Sequence, residues 1–140
     1  MKIAIVGDTH FGCRNSNTTI QHWQERFWNE FFWPLMDKEG IKNIIQTGDY
    51  FDNRKWINLQ TMAFSRDVFV RQAQQREVEV LGIVGNHDIP LRHSLDNSSV
   101  VQILNHEDGI NFFDGVHTIE CDGRTITLMP WICKENYDEC

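Results

Sequence analysis

No stretch of the 140 residues is apolar for the length of a bilayer crossing, and the start at Lys2 runs into a strand-like segment rather than a signal peptide. A membrane span and a secretory leader are therefore set aside, and a cytoplasmic protein is expected. Cysteine is sparse: Cys13, Cys121, Cys133 and Cys140 form no C-x-x-C pair and no regular framework, which argues against a zinc knuckle or a disulfide scaffold and predicts free thiols. Repeats, low-complexity tracts and linkers are missing too, so 1–140 reads as a single domain, at a common domain size and long enough to bury a core. Positive charge is short, with 13 Lys and Arg against 20 Asp and Glu, a net −7. Such a balance counts against non-specific nucleic-acid binding, which is largely electrostatic. Hydrophobic and charged fractions of 41% and 24% are ordinary for a globular chain and exclude the disordered and fibrous classes.

What the chain has is one device used three times. An apolar run leads through a glycine to a polar residue: Lys2-Ile3-Ala4-Ile5-Val6-Gly7 to Asp8, Ile44-Ile45-Gln46-Thr47-Gly48 to Asp49, and Val80-Leu81-Gly82-Ile83-Val84-Gly85 to Asn86. In an open α/β sheet ligands sit beyond the carboxyl ends of parallel strands, so the three units are expected to converge on one crevice, with Asp49 at its centre.

Between the units lie helical patterns. Thr18 or Thr19 can cap a helix over 18–38 that Gly40 ends. Ile20, Trp23, Phe27, Phe31 and Leu35, with Trp28, Phe32 and Met36 beside them, form a wide stripe expected to face the core, and Pro34 signals a kink or early end. Asn58 precedes a second helix over 59–75, whose thin apolar set (Met62, Ala63, Val68, Phe69, Ala73) predicts a surface helix. Residues 77–84 read as a strand buried on both faces. A third helix can start at Ser94 or Asp96 and stop near Gly109. Beyond it, 110–113, 116–121 and 125–129 look like short strands, Asp122-Gly123 supplying a type I′ hairpin turn, and 133–140 shows no pattern. The order βαβαβα then βββ predicts an α/β fold with a mixed sheet, compatible with the first half of a two-sheet α/β sandwich.

The chemistry follows from the polar residues. In an extended segment Asp8 and His10 point to one side and can grip one ion while Thr9 faces away. Asp49 has two oxygens and can bridge two cations, and Asn86 offers an amide oxygen to the second. A set mixing carboxylate, imidazole and amide favours manganese, iron or zinc over calcium or magnesium. Two such ions about 4 Å apart activate a water and steady an in-line attack on phosphorus, which is phosphoester hydrolysis. The loops also soften the charge objection: Asp8, Asp49, Asp52 and Asp88 are balanced by Arg14, Arg54, Lys55 and Arg92, so two divalent ions would leave a cationic mouth on an acidic body.

Asp8-Thr9-His10, Gly48-Asp49-Tyr50-Phe51-Asp52 and Gly85-Asn86-His87-Asp88, at these separations, resemble the first three motifs of the calcineurin-like metallophosphoesterases. The run from Lys2 to Gly12 and the Phe51 after the second motif are similar to the Mre11/SbcD nuclease branch, and the aromatic first helix to its phage recombination-endonuclease subunits. The resemblance implies a calcineurin-like two-sheet α/β sandwich of which this chain is the first part. It implies Asp8 and His10 as ligands of one metal, Asp49 as the bridge and Asn86 as a ligand of the other, with two divalent ions, manganese by preference. His87 would meet the scissile phosphate with a role like a general acid, held by a hydrogen bond to Asp88. Some relatives carry a histidine where Asp52 stands; a carboxylate there fits an orienting part instead. The implied partners are DNA, an SMC-like ATPase subunit of the Rad50/SbcC type and a second copy, the helices over 59–75 and 94–106 forming the dimer contact.

The family completes its sites with a Gly-His and a Gly-His-x-His motif, and neither is present; His22, His93, His106 and His117 lack that context and read as surface positions. The expectation is an amino-terminal portion of a longer nuclease that binds metal weakly and cleaves poorly alone. Arg14, Arg54, Lys55, Arg92 and His93 follow the motifs closely and are either ordinary surface charge or contacts to flanking DNA phosphates. Two other functions stay open: a phosphoesterase of the same superfamily acting on proteins or small molecules, and a non-catalytic dimerisation or ATPase-binding module.

Overall fold

The structure, a computed structural model, describes residues 1–91 and 93–140; Arg92, one of the cations proposed for DNA, lies outside the described residues. Four parallel strands, β1 (Ala4–Val6), β2 (Asn43–Gln46), β3 (Glu79–Ile83) and β4 (Ile110–Phe113), are ordered β1-β2-β3-β4. Ala4 lies opposite Ile44, Ile44 opposite Val80 and Val80 opposite Ile110. These aligned residues and Phe112 form the closed face of the sheet, where Ile44, Val80, Ile110 and Phe112 are buried. Each such side chain contributes about 1.5–3 kcal/mol by leaving water. Strands added in sequence order through right-handed crossovers put their helices on one face. The opposite face is more open, with Ile5 71% exposed and Leu81 and Ile83 half-buried. β3 is thus closed on one side only, where burial on both was expected.

The first helix runs over 18–39 as Thr18–Arg26, a wide π turn Phe27–Phe32, and Trp33–Glu39, ending at Gly40 with φ 63°. Its cap is Asn17 rather than Thr18 or Thr19, the Asn17 side chain accepting the N–H groups of Thr19 and Ile20. Pro34 neither breaks nor ends it. Proline has no N–H to give the preceding turn, and the helix widens so that the Trp33 N–H reaches the Trp28 carbonyl five residues back. The added residue per turn brings Trp28 and Trp33 to the same side, and Trp28, Phe32, Trp33 and Met36 form the buried face. Trp23, Phe27, Phe31 and Leu35, expected in the core, are exposed.

The second helix, over 59–75, is made of Leu59–Ser65, a second π turn Arg66–Val70 and Arg71–Gln75. Asn58, which precedes it, also caps it, accepting the Thr61 N–H. It is no surface helix: the π turn lets the consecutive Val68, Phe69 and Val70 all be buried, and Trp33 Nε1 donates to the Val68 carbonyl at 2.8 Å, tying the two helices together. The third helix is short, Ser99–Leu104, and begins later than Ser94 or Asp96. It is followed by β4 in the parallel sheet, so residues 110–113 complete a fourth strand of the βα series rather than opening a run of short strands. β5 (His117–Cys121) and β6 (Arg124–Leu128) pair antiparallel in a separate sheet, which replaces the expected mixed one. Their turn has φ 50° at Asp122 and 72° at Gly123, both positive as a type I′ turn requires. Residues 133–140 are organised by buried Asn136, which accepts the Cys133 N–H and donates to the Trp131 carbonyl. The Trp131 N–H donates to the Val84 carbonyl at 2.7 Å, fixing this tail at the carboxyl end of β3. Among the described residues no helix is long and apolar enough to cross a membrane.

Candidate metal centre

The loops after β1, β2 and β3 are laced together at the carboxyl edge of the sheet. Asp8, His10 and Phe11 donate their N–H groups to the carbonyls of Gly48, Asp49 and Tyr50 at 3.2, 3.0 and 2.8 Å, and the Asp52 N–H returns to the Phe11 carbonyl at 3.0 Å. Two glycines allow this closeness: a Cβ on Gly85 would stand 2.2 Å from the Asp49 nitrogen, and one on Gly48 2.7 Å from the Gly85 Cα. Gln46, fully buried in β2, holds the Gly48 turn from both ends, donating to its carbonyl and accepting its N–H at 2.9 and 2.8 Å.

Asp8, His10 and Asp49 have φ of 52°, 45° and 55°. Asp8 and His10 are therefore not presented by an extended strand, as the alternation argument supposed, but by successive left-handed turns. Such backbone costs about 1–3 kcal/mol per residue and concentrates at functional sites. Thr9 does face away, its hydroxyl donating to the Tyr50 carbonyl.

His10 Nε2 lies 3.7 Å from Asp8 Oδ1 and 3.8 Å from Asp49 Oδ2. Two metal bonds of about 2.1 Å span up to about 4.2 Å, so one ion can be shared by these three donors. Asp52 Oδ1 is 3.1 Å from His10 Nδ1 but off the line of a hydrogen bond. Donor atoms of His10, Asp49 and His87 also lie within 4.8 Å of one another. Asp49 is divided between its neighbours, Oδ2 facing His10 while Oδ1 accepts the His87 N–H at 2.8 Å. Each carboxylate oxygen keeps a lone pair for a second bond, so Asp49 can still serve as a bridge.

His87 Nδ1 sits 2.6 Å from the Asp52 carbonyl. A carbonyl only accepts, so Nδ1 carries the proton and Nε2 is left for a ligand or a proton-transfer partner. The His10 and His87 rings meet edge to face at 4.8 Å. Asp88 does not hold His87, as the resemblance implied. Its carboxylate is turned inward, Oδ2 accepting the N–H groups of Asp49 and Gly85 at 2.8 Å each and Oδ1 those of Tyr50 and Phe51 at 3.0 and 3.3 Å. Burial pushes this carboxyl up to about 6, against the pull of those N–H groups, and the nearby Asp49 charge adds to the rise. One terminal atom of the Asn86 amide lies 3.2 Å from Asp49 Oδ2 and the other 2.6 Å from the Arg54 guanidinium. Arg54 thus reaches the centre, while Arg14, Lys55 and His93 are exposed. His117 stacks on Phe113, with ring centroids 3.8 Å apart, and His22 lies 3.8 Å from Glu25.

Sequence reasoning missed two glutamine braces, one buried and one half-buried. Gln46 carried a signal, a polar residue inside an apolar run, whereas Gln24, which donates to the Thr9 carbonyl at 2.7 Å, carried none. The donor chemistry fits divalent metal: carboxylates, two imidazoles and an amide converge, with Asp8 open to solvent on one side and the Asp88 brace behind. The chain is 32% identical to exonuclease subunit 1 of Enterobacteria phage T4 over 139 residues, 99% of this chain and 40% of that protein's length. It matches the calcineurin-like phosphoesterases over residues 1–137, as the converging motifs and parallel sheet require, and it belongs to that family.

Proposed function

We propose that the chain serves as a DNA nuclease domain hydrolysing phosphodiester bonds with two divalent ions, manganese by preference, in recombination or repair. The observation that carries this is His10 Nε2 set between Asp8 and Asp49 while Asp49 also holds the loop bearing Asn86 and His87. Asp8, His10 and Asp49 would hold one ion, and Asp49 and Asn86 the other. When bound, the ions activate a water and stabilise the phosphoryl oxygens during in-line displacement. His87 would give a proton from Nε2 to the leaving oxygen, its ring fixed through Nδ1 on the Asp52 carbonyl. Asp52 would orient the His87 imidazole through its carbonyl, and Asp88 would act through the backbone it braces. The similarity to a phage exonuclease subunit supports a DNA substrate and a multi-subunit assembly. An SMC-like ATPase and a second copy docked through the helices over 59–75 and 99–104 are the partners of this reading.

The two banks are unequal in donors, so titration with manganese should give one tight site and a second much weaker one. Calorimetry with Asp8→Ala, which removes a donor from the first bank only, should abolish the tight phase; two tight sites in the parent chain would overturn the assignment. Arg54, whose guanidinium lies 2.6 Å from the Asn86 amide, is placed to take a phosphate beside the centre, with Lys55 next to it. Charge reversal at both should lower single-stranded DNA affinity and flatten its dependence on salt. An unchanged slope would return these residues to ordinary surface charge. Other phosphoesterase substrates are separated from DNA by whether manganese-dependent cleavage of an oligonucleotide outruns that of a phosphopeptide.

A further inference from the structure

A cavity of about 300 Å³ opens directly beside the metal centre, and neither the metal donors nor the proposed proton transfer uses it. Its link to the centre is Asp52, which lines the cavity and whose carboxylate stands 3.1 Å from His10 Nδ1. The floor is apolar, from the buried ring of Phe11 and from Ile57, and one wall is Trp56. Trp56 is 75% exposed, unusual for the largest apolar side chain, and its loop is nevertheless fixed, because Asn53 Oδ1 accepts the N–H groups of Lys55 and Trp56 at 3.0 and 3.2 Å.

The polar groups at the rim narrow the ligand. Ser16 is satisfied by Thr61 and Asn58, each at 2.8 Å, and serves as wall. Asn53 uses its oxygen on the turn and keeps its amide N–H groups for a ligand, while the Asp52 carboxylate is an acceptor. Among the described residues no lysine or arginine lines the cavity, so it does not suit a phosphate. A flat aromatic wall, amide groups from Asn53 and Asn15, the Asp52 carboxylate as acceptor, and a volume at the low end of ligand sites suit a planar heterocycle with both an amino group and a ring acceptor. We propose that this cavity receives one unstacked nucleobase of the substrate strand, its ring stacked on Trp56 and its polar edge on Asp52 and Asn53, so that the adjoining phosphate is presented to the metal centre. This rests on the DNA reading above.

The test is the binding of a short single-stranded oligonucleotide, and of the same strand with every base removed, by fluorescence anisotropy in EDTA to prevent cleavage. Trp56→Ala should weaken binding of the normal strand by about 5- to 150-fold, the effect of losing one base–aromatic stack, while Trp56→Phe retains most of it. The base-free strand should bind the parent chain as weakly as the normal strand binds Trp56→Ala, with no further loss on substitution. If the parent chain binds both strands equally, or Trp56→Ala binds the normal strand as well as the parent does, the base site is wrong and the DNA reading stands. If the parent chain binds neither strand, the DNA reading fails and the base site with it. Circular dichroism of Trp56→Ala should match the parent, since the indole is mostly in solvent.

Discussion

Asp88→Ala is expected to cost at least about 3 kcal/mol of folding stability, although Asp88 carries one of the most reaction-like positions in the sequence. Its carboxylate accepts four backbone N–H groups, from Asp49, Tyr50, Phe51 and Gly85, and is fully buried while doing so. Alanine leaves those donors without an acceptor in a site that water enters poorly, and each unmet buried donor costs about 1–3 kcal/mol. Losses within one network do not add, so the sum of four is an upper bound rather than a forecast. Even the lower bound is a large share of the about 5–15 kcal/mol that holds a domain together. Asp88→Asn keeps one acceptor oxygen but turns an amide toward two N–H donors, so it should fall between alanine and the parent. Urea denaturation followed by tryptophan fluorescence measures the order. A midpoint for Asp88→Ala equal to the parent's would mean that the three loops are held by something other than this carboxylate.

The misreading of Asp88 marks where the sequence was legible and where it was not. The three strand-glycine-polar units were legible because each part has a local cause: branched side chains favour a strand, a glycine permits the close approach, and a short polar side chain follows. Their convergence needed only the rule that parallel strands present ligands at one edge, and the structure does bring Asp8, His10, Asp49 and His87 together. Which way a side chain turns after a motif is a tertiary matter. Asp88 next to His87 invites a pairing, but the chain bends so that His87 meets the Asp52 carbonyl and Asp88 points into the protein. The π turns were illegible for a similar reason. A period of 3.6 residues placed Trp23, Phe27, Phe31 and Leu35 in the core, and one widened turn moved the buried face to Trp28, Phe32, Trp33 and Met36. Pro34 was the only local hint, and it gave the site of irregularity without its form. The fate of 110–113 depended on the third helix being short enough to return the chain to the edge of β3, which no residue of the strand itself encodes.

Asp49→Asn should leave the fold standing and remove the chemistry, the reverse of the result at Asp88. Asparagine has the size of aspartate, and its oxygen can still accept the His87 N–H that Asp49 Oδ1 now holds at 2.8 Å. Removing the charge also relieves its repulsion of the buried Asp88 carboxylate, so the denaturation midpoint without metal should be equal to or above the parent's. Metal binding is where the charge is needed. Asp49 is the one side chain that faces His10 on one side and the loop of Asn86 and His87 on the other. An amide offers one neutral oxygen in place of two anionic ones, too little for two cations held at a distance where they repel each other. The tight manganese phase should weaken by orders of magnitude. Manganese-dependent oligonucleotide cleavage should fall on the order of 10³-fold, matching the several kcal/mol that such ions supply to the transition state. The pairing of results is what discriminates. A variant that folds as well as the parent and has lost both metal and cleavage places the centre on this carboxylate, whereas one that keeps its manganese affinity moves the centre elsewhere, whatever happens to its activity.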